Sequence, residues 1–468
     1  MADDFAIIDE LVKKARTAQK QIENYTQEQI DEVCLSVGWQ VYKDDNIAAC
    51  AKIAVEETGM GVYEHKLKKH KVKVLGVCRD ILKAKTVGVI ERDETTGITK
   101  YAKPVGVVGA LSPVTNPTAT PASNSVSILQ GRNAVIFAPH PKAKRSCKVA
   151  CDFMREGLKK VGAPVDLIQY IEEPSIPRSQ ELMRQVDLVL ATGGAVMVKA
   201  AYSSGTPSYG VGAGNPVVIV AEDADVPDAA EKIVISKTFD NATSCSSDTS
   251  IVIHESVYDE LVAEFKKRGG YLCSEDEKSK LEQWMWIPTK EPGKLALNLK
   301  IVAISAARIA ADAGIEVPEN TSMLMVEAEN AGLDRFSGEK ISPVLALWKY
   351  KTIDDAIAKV TRMHEYAGMG HSCGLYSFNP EYIDKVASEL KVSRVIVRQA
   401  HAPSAGGNLW NGMPSTVTLG CGTWGGNITT ENIHWKHFIN VTWLTEPIEP
   451  VKVADADVFG SMWEKYGQ

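Results

Sequence analysis

The sequence predicts an α/β protein with two Rossmann-like domains and a small β flap. Short continuous apolar runs, such as DLVLAT at 187–192, alternate with stretches of helical periodicity. Such runs are typical of parallel strands that helices cover on both faces, an architecture that binds dinucleotides. The length of 468 residues also favours more than one domain, because a single core rarely grows beyond about 250–300 residues.

The composition is that of an ordinary globular protein. Hydrophobic residues make up 44% of the chain and charged residues 24%, which argues against a largely disordered protein. The 52 basic and 59 acidic residues give a net charge of -7, which argues against nucleic-acid binding. No apolar run is long enough to span a bilayer, and the acidic N-terminus lacks the basic region of a signal peptide. With nine scattered cysteines, the protein is expected to be cytoplasmic.

The N-terminal part of the chain is predicted to be helical. Apolar spacing indicates helices over 5–20, 27–42 and 46–58. The stretch 64–74 is rich in lysine, and a solvated helix face is favoured there over a phosphate-binding patch, because no aromatic residues interleave. After this stretch the apolar residues no longer follow a helical spacing, and the segment 87–102 is predicted to form a β-hairpin.

Strands and helices alternate in the rest of the chain. Strands are predicted at 105–111, 134–138, 167–170 and 187–192, and in a second set at 250–254, 323–327, 344–348, 375–377 and 395–397. A last strand at 438–445 has no evident neighbour and needs the edge of another sheet, such as one on a second subunit. We therefore expect a dinucleotide-binding domain over 1–236, a second α/β domain over 237–426 and a C-terminal return segment over 427–468.

One pair of residues is a weak candidate for a metal site. His434 and His437 form an HxxH pair, and no third ligand stands at a suitable spacing. We therefore predict no metal site.

A cysteine in a polar segment is the first candidate functional residue. Cys245 lies within KTFDNATSCSSD at 237–248, between a predicted helix and a strand. Small polar neighbours leave room for a ligand, and nearby backbone amides can lower the pKa of a thiol. On these residues alone, a partly buried and inert cysteine is favoured over a reactive one.

Two loops are further candidates. In LSPVTNPTATP at 111–121, prolines hold Asn116 either as a stiff hydrogen-bond donor or in an ordinary Asn-Pro turn. The run YGVGAGNP at 209–216 contains GxGxG, but a strand at 217–220 follows where the dinucleotide fingerprint needs a helix. It is a weak signal for a phosphate loop and a better one for a close approach of the backbone to another group.

Seven segments in a fixed order carry a resemblance to a known family. They are PVTNPT at 113–118, RNAVIF at 132–137, ATGGAVMVKAAYSSG at 191–205, GVGAGN at 210–215, KTFDN at 237–241, EKISPVLA at 339–346 and LGCGTWGGN at 419–427. The sequence resembles the aldehyde dehydrogenase superfamily, and within it the CoA-acylating branch. This resemblance implies the aldehyde dehydrogenase fold, with the active site between the two domains.

The resemblance implies roles for three residues. Cys245, in the second domain, matches the nucleophile, whose thiolate attacks the aldehyde to give a thiohemiacetal. Asn116 matches the side chain that stabilises the oxyanion together with the backbone N–H of Cys245. Hydrolytic relatives carry at the position of Gly210 a glutamate that activates water. Because a glycine offers no base, the resemblance implies acyl transfer to CoA rather than hydrolysis.

The resemblance also places the cofactor. NAD is favoured over NADP, although His140, Lys142 and Lys144 are suited to a 2′-phosphate. His371, in GMGHSCG, matches a histidine of the acylating branch and is assigned to CoA or cofactor binding; the alternative is a structural hydrogen bond. The residues implied to bind the cofactor are Pro113, Thr115, His140, Thr192, Gly193, Gly194, Gly210, Glu339 and His371.

Four residues bear on the substrate. Arg398 and His401 lie in the loop that borders the aldehyde pocket in the family, and they add donors suited to an anion. Thr243 and Ser244 add hydroxyl donors just before the nucleophile. The segment NATSCSS at 241–247 is similar to that of acylating enzymes that act on sulfoacetaldehyde. We expect a short anionic aldehyde; the alternative is a neutral pocket in which Arg398 pairs with a carboxylate.

The predicted function is therefore the CoA-dependent oxidation of an aldehyde such as sulfoacetaldehyde to an acyl-CoA, with reduction of NAD(P). The alternatives are an acylating acetaldehyde or propionaldehyde dehydrogenase, a hydrolytic aldehyde dehydrogenase that releases free acid, and a catalytically silent scaffold. The resemblance implies that the hairpin at 87–102 and the strand at 438–445 form an oligomerisation flap. A homodimer or homotetramer is expected, with no nucleic-acid or membrane partner.

Overall fold

Helices and parallel strands alternate along most of the chain. The computed structural model describes the backbone of residues 2–468 and the side chains from residue 5 onward. The helices are α1 (Ala2–Ile22), α2 (Gln27–Tyr42), α3 (Asp44–Thr58), α4 (Tyr63–Ile81), α5 (Ala119–Gln130), α6 (Lys144–Lys160), α7 (Ile176–Gln185), α8 (Ala195–Tyr202), α9 (Val226–Thr238), α10 (Tyr258–Lys267), α11 (Glu275–Met285), α12 (Ala306–Asp312), α13 (Ile353–Tyr366), α14 (Pro380–Glu389), α15 (His401–Ser404) and α16 (Asp455–Tyr466). The strands are β1 (Gly88–Asp93), β2 (Ile98–Pro104), β3 (Val107–Ser112), β4 (Ala134–Pro139), β5 (Ile168–Tyr170), β6 (Leu188–Thr192), β7 (Ser208–Val211), β8 (Val217–Val220), β9 (Ser250–His254), β10 (Gly270–Leu272), β11 (Trp286–Pro288), β12 (Leu295–Leu297), β13 (Met323–Glu327), β14 (Val344–Tyr350), β15 (Cys373–Tyr376), β16 (Val395–Val397) and β17 (Ile439–Thr445).

The first sheet has five parallel strands in the order β5-β4-β3-β6-β7. Every residue of β3 and β4 is buried, because α1, α5 and α6 pack onto the sheet. This explains why these strands have continuous apolar sequences rather than alternating ones. The loops after β3, β4 and β6 meet at the carboxyl edge of the sheet, where α/β proteins bind ligands.

The second sheet has seven parallel strands in the order β10-β13-β14-β9-β8-β15-β16. Its strand β8 lies before residue 237, where the sequence predicted the second domain to begin. The chain crosses to this sheet in the glycine-rich loop between Val211 and Val217, and β8 pairs with β9 and β15. The change of sheet therefore comes earlier than the predicted boundary, because strand pairing is decided by partners distant in sequence.

The hairpin β1-β2 and the last strand β17 form a third, antiparallel sheet. Ile439 pairs with Pro104, and Thr445 pairs with Ile98. The last strand thus finds the sheet edge that it was expected to need on the hairpin of the same chain and not on a second subunit. The free edge of β17 remains exposed and carries an apolar residue, Trp443, that is 61% exposed.

The lysine-rich helix α4 differs from its prediction. Lys66 and Lys69 are buried, and Lys73 is partly buried, whereas Lys68 is exposed. The helix therefore turns one row of lysines inward rather than presenting a solvated face. Within residues 2–468, no helix combines the length and apolar character that crossing a membrane requires.

Candidate active site

Cys245 lies on a strained loop between α9 and β9. Asp240, Asn241 and Ala242 have φ angles of 55°, 51° and 59°, a left-handed conformation that residues with a Cβ rarely adopt. After this turn the partly exposed side chain of Cys245 meets His371, with Sγ 3.3 Å from Nε2. Strained backbone of this kind is concentrated at functional sites.

The protonation state of this pair is set by burial. Burial, together with Glu339 and Cys421, raises the pKa of the Cys245 thiol to about 12. Burial and the neighbouring Arg394 hold the pKa of His371 well below its usual range. At neutral pH the pair is therefore a thiol and a neutral imidazole, which can accept the thiol proton.

Two further side chains connect to His371. Its Nδ1 lies 2.7 Å from Oγ of Ser372, and Nε2 of His401 lies 2.8 Å from the same oxygen. Nδ1 of His401 lies 3.2 Å from Oδ1 of Asp248, within ion-pair distance but not aligned as a hydrogen bond. His401 thus reaches Cys245 through Ser372 and His371 rather than by a contact of its own.

A lysine orients Asn116. Oδ1 of Asn116 accepts a hydrogen bond of 2.8 Å from Nζ of Lys69. The same ammonium donates to Oδ2 of Asp240 at 2.6 Å and to Oγ1 of Thr243 at 2.8 Å. Because its oxygen is occupied, the Asn116 amide has its NH₂ group left to donate, as an oxyanion requires. Thr243, in turn, donates to Asp240 at 2.6 Å, so its hydroxyl is held within this cluster.

Three lysines of α4 form what we call the lysine row: Lys66, Lys69 and Lys73. Nζ of Lys66 donates to the carbonyl of Thr115 at 2.6 Å and lies 3.0 Å from Oδ2 of Asp240. Although burial opposes it, Lys69 and Lys66 together lower the pKa of Asp240 to about 2. One carboxylate therefore serves two ammonium groups.

Lys73 has no carboxylate within ion-pair distance among the residues that the structure describes. Its Nζ donates to the carbonyls of Gly406 and Gly407 at 2.9 and 3.3 Å. Burial lowers the pKa of Lys73 to about 8, against an opposing interaction with Cys245. Ala405, beside Gly406, belongs to the small apolar cluster that Cys245 contacts. Lys73 therefore lies in the neighbourhood of the reactive sulfur.

The glycine-rich loop at 210–215 passes close to Cys245. A Cβ atom on Gly214 would lie 2.0 Å from the carbonyl oxygen of Cys245, which confirms the expected close backbone approach. The N–H of Gly214 donates to Oε1 of Glu339 at 3.2 Å. Burial raises the pKa of Glu339 to about 8, so this carboxyl is mostly protonated at neutral pH and is then a poor base.

The position that resembles the hydrolytic glutamate is closely packed. A Cβ atom on Gly210 would lie 2.6 Å from Cγ1 of Val198 and 2.8 Å from Cε2 of Tyr202. The N–H of Gly210 also donates to the hydroxyl of Tyr202 at 3.0 Å. No side chain fits at this position unless the side chains of Val198 and Tyr202 shift.

Several residues implied for the cofactor lie at the carboxyl edge of the first sheet. Thr192 ends β6, and its hydroxyl lies 3.1 Å from that of Thr418. Gly193 follows, and the exposed Gly194 precedes α8 with open space where a Cβ would stand. The free N–H groups that begin α8 suit an anion such as a pyrophosphate. The residues present therefore fit a dinucleotide.

The loops after β3 and β4 complete this edge. Pro113 and Thr115 are partly exposed in the first loop. In the second, Nδ1 of His140 accepts a hydrogen bond of 3.1 Å from the N–H of Lys142. Lys144 lies 2.6 Å from a carboxylate oxygen of Glu173, so one of the two lysines considered for a 2′-phosphate already has a partner.

The side chain of Arg398 contacts residues other than Cys245, His371 and their partners. Its guanidinium donates to the carbonyl of Ser377 and stands 4.5 Å above the centroid of the Phe378 ring. It forms no ion pair with a carboxylate among the residues described. The ion pair with a carboxylate that the neutral-pocket alternative required is therefore not formed. Ser244 is partly exposed, with Oγ 2.7 Å from that of Ser246.

The HxxH pair has a third neighbour after all. Ligand atoms of Glu431, His434 and His437 lie within 4.8 Å of one another, so the prediction that no third ligand is near was wrong. The chain brings Glu431 back onto the pair through a turn that its spacing did not suggest. Oε2 of Glu431 lies 2.5 Å from Nζ of Lys436, and this ammonium already neutralises the carboxylate.

Comparison with known proteins decides the family. The sequence profile of the aldehyde dehydrogenase family matches residues 2–285, more than half of the chain. The chain belongs to this family. It is 58% identical to a sulfoacetaldehyde dehydrogenase of Acholeplasma over 96% of this chain and 93% of that protein. It is 54% identical to an acylating sulfoacetaldehyde dehydrogenase of Bilophila wadsworthia over 98% of this chain and 99% of that protein.

Solved structures of aldehyde dehydrogenases share the fold. An acetylating aldehyde dehydrogenase of Geobacillus thermoglucosidasius superposes with a TM-score of 0.90 at 34% identity, covering 97% of this chain and 99% of that one. A propionaldehyde dehydrogenase of Rhodopseudomonas palustris with bound propionyl-CoA gives a TM-score of 0.83 at 28% identity, covering 94% of both chains. The predicted family and fold are thereby confirmed.

The lysine row is the part of the site that sequence reasoning missed. Residues 66, 69 and 73 are three and four positions apart and share one helix face, whereas 68 and 71 lie on others. This spacing was a usable signal. The partners of the row, Asp240 above all, come from distant segments and were not foreseeable.

Proposed function

We propose that this aldehyde dehydrogenase oxidises sulfoacetaldehyde to sulfoacetyl-CoA, with CoA as acyl acceptor and NAD(P) as oxidant. The observation that carries the proposal is similarity to two sulfoacetaldehyde dehydrogenases over nearly the whole chain, at 58% and 54% identity. A cysteine facing a neutral histidine at 3.3 Å supports the chemistry.

In this proposal Cys245 is the nucleophile. His371 takes the thiol proton through Nε2 while the carbon–sulfur bond forms. The π electrons of the aldehyde carbonyl move to its oxygen, which accepts hydrogen bonds from Nδ2 of Asn116 and from the N–H of Cys245. One such donor is typically worth about 10²–10³ in rate. The hydrogen bond from Lys69 to Oδ1 of Asn116 supports the assignment of Asn116 as an oxyanion donor, because it leaves the NH₂ group of the amide to donate.

The bound cofactor supplies a hydride acceptor for the thiohemiacetal carbon. Gly194 leaves the start of α8 open to its phosphates. Glu339 offers a carboxyl group for a ribose hydroxyl, as the family resemblance implies. We retain NAD as the preferred cofactor, because Lys144 is paired with Glu173 and is not free for a 2′-phosphate.

The acyl group then passes from Cys245 to the thiol of CoA. Release as free acid would need a base that activates water. Gly210 has no room for one, and Glu339, with its pKa raised by burial to about 8, is mostly protonated at neutral pH. The thiolate of CoA is a strong nucleophile without such help. Once His371 has released the proton of Cys245 to solvent, its Nε2 can take the proton of the CoA thiol and return it to the Cys245 thiolate that leaves.

Lys73 supports an anionic aldehyde. Its ammonium lies near Cys245 without a carboxylate of its own among the described residues. Asp80 interacts with it electrostatically from beyond ion-pair distance, and a poorly solvated ammonium whose hydrogen bonds go to carbonyl groups favours an anionic ligand. We therefore assign the sulfonate to Lys73 rather than to Arg398, whose guanidinium is bonded to Ser377.

A substrate panel tests the proposal. Sulfonated, carboxylated and neutral aldehydes of similar length are assayed for NADH or NADPH formation, with and without CoA. The highest kcat/KM with sulfoacetaldehyde, strictly dependent on CoA, is the expected result. Turnover without CoA contradicts acyl transfer, and a preference for propionaldehyde contradicts the anionic substrate.

We also propose that the enzyme is a cytoplasmic homo-oligomer. The edge of β17 is free, and three of its apolar side chains, those of Val441, Trp443 and Leu444, are exposed. An exposed apolar edge strand is a ready site for pairing with another chain. Sedimentation of the enzyme tests this, and a monomer at micromolar concentration contradicts it.

A further inference from the structure

A line of buried polar side chains runs from Cys245 into the second domain. Sγ of Cys245 lies 3.3 Å from Nε2 of His371, whose Nδ1 lies 2.7 Å from Oγ of Ser372. The same oxygen lies 2.8 Å from Nε2 of His401, whose Nδ1 lies 3.2 Å from Oδ1 of Asp248. His371, Ser372, His401 and Asp248 are each at most 1% exposed. We call this line the His–Ser–His–Asp line.

The direction of the hydrogen bonds along this line is restricted by chemistry. A carboxylate only accepts, a neutral imidazole donates at one nitrogen and accepts at the other, and a hydroxyl does both. If Asp248 accepts from Nδ1 of His401, Nε2 of His401 must accept from Ser372. Ser372 then accepts from Nδ1–H of His371, and Nε2 of His371 is left with a lone pair facing Cys245.

The surroundings favour this direction. Neither Nδ1 of His401 nor either oxygen of Asp248 forms a hydrogen bond with any described residue, and Nδ1 lies 3.2 Å from Oδ1, within ion-pair distance, so a small rotation of either side chain lets the two groups bond. Lys237, buried in the same region, interacts electrostatically with Asp248. A Cβ atom on Gly374 would lie 3.2 Å from Nδ1 of His401, so this glycine leaves the space that the ring occupies.

We propose that Asp248, His401 and Ser372 are positioning residues that fix His371 in the tautomer able to take the proton of Cys245. The proposal rests on the nucleophilic role given to Cys245 above. As the sulfur attacks, the S–H bond breaks, its proton goes to Nε2 of His371, and the new carbon–sulfur bond displaces the carbonyl π electrons onto oxygen. The three positioning residues exchange no proton with the substrate.

The substitution Asp248→Asn tests the direction of the line. An amide of the same shape can donate to Nδ1 of His401, which reverses every bond and leaves N–H rather than a lone pair facing Cys245. We expect kcat to fall by about 10²–10⁴-fold, the range that a general base contributes, with KM for the aldehyde changed less than about threefold. In serine proteases the equivalent acid-to-amide change acts through the same change of tautomer.

Alkylation of Cys245 by iodoacetamide gives a readout independent of substrate, cofactor and CoA. At pH 7 the Asp248→Asn enzyme should react about tenfold or more slowly than the wild type. The two rates should converge at high pH, because hydroxide then replaces the base. Because no aldehyde is present, this result stands even if sulfoacetaldehyde proves to be the wrong substrate.

Ser372 provides the matched pair of variants. Ser372→Ala breaks the line and should resemble Asp248→Asn, whereas Ser372→Thr keeps the hydroxyl and should restore at least half of the wild-type alkylation rate. An Asp248→Asn enzyme with unchanged kcat and alkylation overturns the proposal. Equal losses in the alanine and threonine variants, or a rise in KM with a lowered Tm in Asp248→Asn, also overturn it, since they assign these residues to the fold.

Discussion

The two sides of Cys245 differ in what they offer to a reacting aldehyde. On one side, the lysine row and Asn116 present hydrogen-bond donors, and two of the three ammonium groups, those of Lys66 and Lys69, share the carboxylate of Asp240. On the other side, the His–Ser–His–Asp line ends in a neutral imidazole that can accept a proton. The attack of a thiol on an aldehyde creates a negative oxygen and releases a proton, and under the proposed mechanism each side serves one of the two products of that step.

Removing the sulfur between the two sides has the largest expected effect. Cys245→Ala should lower the rate of acyl-CoA formation by about 10⁴-fold or more, as loss of a catalytic nucleophile does in other enzymes. CoA binding, measured by calorimetry, should persist, because no charge or fold contact is removed. Residual activity above one-hundredth of the wild type contradicts the assignment of the nucleophile.

The donor side is tested next. Asn116→Ala should lower kcat by about 10²–10³-fold, the value of one oxyanion donor. Lys69→Met should lower kcat less, because the amide remains but loses the hydrogen bond that orients it. If Lys69→Met is as severe as Asn116→Ala while the Tm is unchanged, the lysine acts on the substrate itself rather than through Asn116.

Lys73 distinguishes charge recognition from catalysis. Lys73→Met should raise KM for sulfoacetaldehyde about 10–100-fold, the worth of a hydrogen bond to a charged group, with a much smaller change for propionaldehyde. Lys71→Met is the control: it removes the same charge from the same helix, where Lys71 pairs with Asp44 at the surface. An equal loss on both aldehydes in Lys73→Met contradicts a sulfonate contact.

Arg398 should show the smallest effect. Because its guanidinium is bonded to the Ser377 carbonyl and stacked on Phe378, Arg398→Ala should change KM for sulfoacetaldehyde less than about threefold, within the range of surface substitutions. A selective rise of KM for the anionic aldehyde alone would restore the pocket role expected from the sequence. Steady-state kinetics on both aldehydes decide between these outcomes.

The sequence allowed most of the fold to be predicted, because the strands of the first sheet are continuous apolar runs between helices. Strand β8 has the same kind of sequence, yet it joins the second sheet. The apolar pattern of a strand indicates that the strand is buried, but it does not indicate which strands it pairs with. The sequence of the last strand, β17, likewise did not indicate its partner, which is β2.

At the site, motif resemblance identified Cys245, Asn116 and His371 as candidates, and the structure brings Cys245 and His371 together. It does not do so for Arg398, whose neighbours are set by the backbone turn after β16. The roles of Asp248 and Lys73 depend on contacts between segments far apart in the chain, which no local pattern encodes.

The packing around Gly210 has a consequence for how such an enzyme can change. Side-chain atoms of Val198 and Tyr202 stand where any larger residue would place its Cβ, so a water-activating acid introduced there would have to displace both side chains. This packing therefore opposes a change toward a hydrolase and favours keeping the free energy of the thioester for a later acyl transfer.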